Sequence, residues 1–217
     1  MNRNEFFIIL VYVMAQLSGF LGIPLLLKNS ALTPLEAVAY WTVCSMSVAT
    51  VISLWLSRSL RQGGKMGKPL PWKETMYWIF IGLFLAYFAQ IMAAIIEQKL
   101  FHIPGESENT KEIITIAKSV PLFMFVGIIL APFLEELIFR RIIFYHLYQK
   151  FSFFIAALTS SLLFAVLHLD FSHLLVYLVM GFVFSFLYVK TNRIIVPMAA
   201  HTLMNGTVFY LAFYING

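Results

Sequence analysis

The stretch Ala131-Pro132-Phe133-Leu134-Glu135-Glu136-Leu137-Ile138-Phe139-Arg140-Arg141 sets two carboxylates and two guanidiniums inside an otherwise apolar run. An ionised side chain at the centre of a membrane helix costs about 3 kcal/mol even on lenient insertion scales, so such a cluster marks a functional site by default. The surrounding sequence decides that the run is membrane-embedded. Of 217 residues, 61% are hydrophobic and 12% charged, against about half and about a quarter in soluble domains. The composition excludes a soluble globular enzyme and implies an all-α, polytopic transmembrane helical bundle. Its spans leave no room for a separate soluble domain, so residues 1–217 read as a single integral membrane domain.

Seven runs have spanning length and composition: Phe6–Leu27, Leu35–Leu56, Met76–Ile96, Val120–Tyr148, Phe151–Leu169, His173–Val189 and Ile194–Ile215. The first follows Arg3, exceeds a typical signal-peptide core and has no Ala-x-Ala site, which makes it an uncleaved span. Pro34 suits the start of the second helix, and Pro132 should kink the fourth one turn before the glutamates, or break it into two spans. Residues 57–74 carry Arg58, Arg61, Lys65, Lys68 and Lys73 among glycines and prolines, a basic, flexible loop suited to the cytoplasmic side rather than to nucleic acid. Arg3, that loop, Arg140, Arg141, Lys150, Lys190 and Arg193 fall on one side of the seven spans, and Lys28, Lys99, Lys111 and Lys118 on the other. The bias puts the amino terminus inside and the carboxyl terminus outside. Residues 97–119 form the longest polar insert, with a Pro104-Gly105 turn and an amphipathic helix around Ile113, Ile114, Ile116 and Ala117. The single cysteine, Cys44, reads as a buried, inert thiol.

Further polar residues break the apolar pattern of the second half. Phe164 and His168 are four residues apart, as are His201 and Asn205, so each pair can share one helix face. Glu135 and Glu136 point about 100° apart. Glu136 has the salt-bridge spacing to Arg140, which leaves Glu135 to face the interior, while Arg141 can snorkel to the interface. Asp170 and His173 suit helix caps. A glutamate, two histidines and an asparagine on three helices are the parts for activating water and holding an oxyanion.

The ordered set Glu135-Glu136-x-x-x-Arg140, Phe164-x-x-x-His168 and His201-x-x-x-Asn205 resembles the CAAX-protease and bacteriocin-processing (Abi) family of intramembrane proteases, which includes the Rce-type prenyl-protein endopeptidases. The resemblance covers residues 120–210. It implies a protease core over 120–215 behind amino-terminal spans in 1–98, and peptide-bond hydrolysis in the membrane. Glu135 would be the general base, His168 would hold the water, His201 and Asn205 would stabilise the oxyanion, and Glu136, Arg140 and Phe164 would support the site. The expected substrate is a membrane-associated peptide or protein, processed as a leader or at a CAAX-type terminus, in a bacterial plasma membrane.

Other chemistries stay open on the residues alone. Glu135, His168 and His201 could make a two-histidine, one-carboxylate zinc set, although no His-Glu-x-x-His signature occurs and no cofactor is the favoured reading. An aspartyl protease needs a second aspartate beside Asp170, and a serine enzyme would have to use Ser160 or Ser161. The same cluster could instead serve a transporter, an immunity protein or a membrane scaffold.

Overall fold

A computed structural model describes residues 1–60, 63–103, 105 and 107–214; Arg61 of the basic loop, Pro104 of the expected turn and Ile215 of the last expected span lie outside them. Among the described residues every regular element is helical: α1 (Arg3–Asn29), α2 (Pro34–Ser57), α3 (Trp72–Leu100), α4 (Glu108–Ser119), α5 (Pro121–Lys150), α6 (Phe153–Leu167), α7 (Leu174–Thr191) and α8 (Ile195–Tyr214). Helices α1, α2, α3 and α5, and α7 with the turn Phe171–His173 before it, are long and apolar enough to cross a membrane. The protein is thus an all-α integral membrane protein. The expected fifth span is shorter than its apolar run. Ser152 caps α6 by accepting from the Ile155 amide, and Leu169 ends the segment at φ 54°. Its 15 residues cover about 22 Å, less than the ~30 Å hydrocarbon core.

Caps set the other early boundaries. Asn2 and Glu5 exchange hydrogen bonds at the start of α1, and Thr33 and Glu36 do the same at the start of α2, ahead of Pro34. Helix α5 runs through Pro132 without a break. A proline in an α-helix lacks one donor and clashes with the carbonyl a turn earlier. Here the preceding turn is widened into a π-helix over Val126–Leu130, with the Ala131 amide donating to the Val126 carbonyl, so the strain is absorbed locally. A second π-helical stretch, Glu136–Phe144, follows directly after Glu135. Arg141 is buried there beneath the Tyr145 ring and does not snorkel.

The helices are grouped in two compact units. One gathers α1, α2, residues 112–134 and α8 from Asn205 onward. Between helices in lipid there is little hydrophobic drive, so close approach of small residues carries the packing. In this unit Gly22 lies directly under the Trp41 indole, where no Cβ fits, and the indole N–H reaches the Ser18 hydroxyl at 2.9 Å. Cys44 is exposed on α2 rather than buried, on a surface that is apolar because lipid would be its solvent.

The other unit contains α3, residues 135–150 of α5, α6, α7 and α8 up to Met204. Ile79, Ala86, Met180, Phe184, Leu187, Val196, Ala200 and Met204 form its main core. Gly181 of α7 sits against the Ser161 backbone of α6, close enough that a Cβ would collide. Tyr77, Phe80, Phe84 and Phe88 of α3 face outward as lipid-contact residues should, whereas Trp78 packs on the core and the Tyr87 hydroxyl donates to the Met204 carbonyl. The basic loop is docked, not free. Lys65 donates to the Phe151 carbonyl, Arg193 to the Leu70 carbonyl, and the Leu70 amide to the Thr191 carbonyl.

Candidate active site

All but one of the polar residues singled out in the sequence fall in the second unit. Glu136 and Arg140 are both fully buried, and their four-residue spacing is realised as an ion pair of 3.1 Å. The guanidinium lies in an aromatic cage, its Cζ 4.3 Å from the Phe164 ring centre and 5.2 Å from that of Phe184. Such stacking suits arginine, whose planar cation is weakly hydrated. The same Glu136 oxygen lies 3.0 Å from Nδ1 of His201. A carboxylate only accepts, so Nδ1 carries the proton and donates it to Glu136. Phe184 stacks on the imidazole at 4.9 Å, and the opposite ring nitrogen, Nε2, lies 3.8 Å from Oε2 of Glu135.

One buried histidine therefore joins the two glutamates. Glu136 is fully enclosed, while the Glu135 side chain keeps 15% of its surface accessible. Glu135 and His201 come from different helices, α5 and α8, and no sequence spacing relates their depths. The structure brings the two side chains together.

His168 closes α6 rather than lying inside it. Its Nδ1 is 2.8 Å from the Phe164 carbonyl, which accepts, so the neutral ring is fixed with Nδ1 protonated and Nε2 bearing the lone pair. Phe164 meets the imidazole edge-on at 4.6 Å, as the helical spacing predicts. His168 lies within electrostatic reach of Glu135, His201 and Arg140. Asn205 belongs to the first unit, one helical turn beyond His201 along α8, where its amide donates to the Gly127 carbonyl at 2.8 Å. An amide NH2 has two hydrogens, and this bond engages one of them.

Asp170 and His173 do not act as side-chain caps. Asp170 accepts from the Ser107 hydroxyl at 2.6 Å, and His173 Nδ1 bonds the buried carboxylate of Glu97 at 2.9 Å. Glu97, Ser107, Asn109 and Tyr177 were not distinguishable in the sequence as neighbours of this site. Their contacts join residues 63 to 76 positions apart, and no local pattern encodes them. A zinc ion would need three donors facing one point. Among the described residues no three His, Cys, Asp or Glu side chains are grouped in that way.

Residues 117–207 match the family described as type II CAAX prenyl endopeptidase Rce1-like. The chain is 42% identical over 220 residues to the "Putative membrane peptidase YdiL" of Bacillus subtilis, covering 96% of this chain and 88% of that one. It is 30% identical over 210 residues to the "Membrane-embedded CAAX protease MroQ" of Staphylococcus aureus, covering 92% and 85%. A shorter match, 34% over 130 residues, is to the "UPF0177 protein YvdC" of Lactococcus lactis, 58% of this chain and 49% of that one. No solved structure matches the chain.

Proposed function

The chain belongs to the type II CAAX prenyl endopeptidase Rce1-like family, and from that membership we propose that it is a membrane endopeptidase that hydrolyses a peptide bond with water activated by Glu135. The observation that carries this reading is the chain of contacts Arg140–Glu136–His201–Glu135 in a buried, aromatic-lined site, with His168 in electrostatic reach. A proton pathway would string such groups across the bilayer, whereas hydrolysis gathers them around one water.

In this mechanism the partly accessible Glu135 removes a proton from water as its oxygen attacks the scissile carbonyl. The Nε2 lone pair of His168 accepts the water's other hydrogen and holds it in line. The tetrahedral intermediate collapses with cleavage of the C–N bond, and Glu135 returns the proton to the leaving amine. His201 donates to the oxyanion from Nε2. That role requires protons on both ring nitrogens, because Nδ1 already donates to Glu136. By the family motif His201-x-x-x-Asn205, Asn205 is assigned as a neutral oxyanion donor, a contribution of about 3 kcal/mol to the transition state. Arg140 keeps Glu136 ionised and so keeps His201 oriented. No metal takes part.

The substrate is a membrane-associated peptide or small membrane protein, cut in a bacterial plasma membrane with the enzyme's amino terminus inside. Relatives from three bacteria, one of them named as a membrane-embedded CAAX protease, support this setting. Cleavage of a quenched peptide library, with prenylated and unprenylated members, by purified protein in detergent tests the proposal. Cleavage that persists in excess chelator is expected. Loss in chelator would bring zinc back, and no cleavage of either set by folded protein would favour a scaffold or transporter.

A further inference from the structure

Glu97 at the end of α3, and Ser107 and Asn109 at the start of α4, reach the turn between α6 and α7 and the first residues of α7. At the end of α3, the buried Glu97 accepts from His173 and from the Val176 amide in the first turn of α7 at 3.2 Å. A carboxylate on exposed first-turn amides holds a helix start in place. Ser107 and Asn109, at the start of α4, reach the same end of α7. The Ser107 hydroxyl lies 2.6 Å from Asp170 and 3.3 Å from the Tyr177 hydroxyl, and Asn109 donates to the Tyr177 hydroxyl at 3.1 Å.

Chemistry fixes every direction in this network. The Asp170 carboxylate only accepts, so Ser107 gives it its proton. Ser107 must then accept from Tyr177, and Tyr177 accepts from Asn109. The phenol is thus held at both its donor and its acceptor side. Its ring stacks on the His168 imidazole at 4.1 Å and 27°, while Phe164 meets the imidazole edge-on and the Phe164 carbonyl holds Nδ1. Leu169, the next residue, is at φ 54°, a left-handed conformation that is costly for leucine. The backbone after His168 is therefore not at its own minimum, and contacts on the ring have to hold it.

We propose that Tyr177 is a positioning residue for His168, set in place by Ser107 and Asn109, so that the start of α4 is part of the hydrolytic machinery rather than a connection. This rests on the peptidase reading, in which His168 holds the attacking water. In this role Tyr177 acts through the imidazole on which its ring stacks. It fixes the plane of the imidazole and so the direction of the Nε2 lone pair.

The test compares wild type, Tyr177→Phe, Tyr177→Leu and Asn109→Ala in kcat, KM and thermal stability, and follows His168 by ¹⁵N imidazole NMR across pH. Phenylalanine keeps the stack and loses the hydroxyl bonds; leucine loses both; alanine at 109 removes one bond and leaves the ring. Glu135, Arg140, His201 and Asp170 are present in every variant, so their fields on the site are common to all. Expected are a kcat lower by about tenfold in Tyr177→Phe and up to ~10²-fold in Tyr177→Leu, the scale of a misplaced catalytic group. KM should stay near wild type, and the His168 titration midpoint should move in the same order.

Equal kcat and an unmoved His168 titration in Tyr177→Leu and Asn109→Ala would overturn the inference, as would losses that only track lost folded protein. The NMR readout does not depend on turnover. A wild type that cleaves nothing, yet whose His168 titration responds to Tyr177→Phe, would defeat the peptidase reading while keeping the positioning contact.

Discussion

Glu135→Gln is expected to lower peptide cleavage by about 10²–10⁴-fold, the range a positioned general base contributes, with little change in melting temperature. Glutamine has the same shape but cannot take a proton at neutral pH. The position tolerates the change because Glu135, unlike Glu136, keeps part of its surface accessible, and its contact with His201 Nε2, 3.8 Å, is longer than the 3.1 Å pair of Glu136 with Arg140. Initial rates at saturating peptide, alongside thermal melts in the same detergent, separate the two effects. A rate within a factor of a few of wild type would remove Glu135 from the chemistry.

Arg140→Met is expected to act in the opposite way, through stability first. It leaves the fully buried Glu136 carboxylate without its cation, and breaking a buried pair from one side costs about 3–5 kcal/mol. Methionine fills the cage among Phe139, Phe164 and Phe184, so lost volume is not the cause. Adding Glu136→Gln neutralises the stranded charge and should recover most of the stability. Activity should not return, because His201 Nδ1 then faces an amide instead of a carboxylate, and the imidazolium needed at the oxyanion loses its partner. Denaturant titrations of the two single variants and the double give the coupling energy. Additive losses would show that the pair is not a unit.

Some of this arrangement was legible in the sequence because it is local. Glu136 and Arg140, and Phe164 and His168, meet through the four-residue helical repeat, and Pro34 starts the helix it was expected to start. Apolar runs are also local, so the membrane helices were recoverable to within a few residues.

What failed was non-local, or depended on backbone geometry that many sequences share. Nothing in a proline-containing apolar helix specifies two π-helical stretches rather than a break. The docking of the basic loop uses main-chain carbonyls of Phe151, Leu70 and Thr191, which carry no residue signature. Cys44 was misplaced because a thiol is apolar enough for either the packed or the lipid-exposed side of a helix. No local pattern marks Tyr177 or Glu97 in the sequence. Their significance comes from partners 68 and 76 residues away, Asn109 and His173.

A double-variant cycle of Glu135→Gln and His168→Ala on cleavage rate puts the shared water itself to the test. Groups that serve one event as a unit are strongly non-additive. If both act on the same water, the double variant is no slower than the slower single one. Losses that multiply, each residue costing as much with the other absent as with it present, would mean that Glu135 and His168 do not serve a common step.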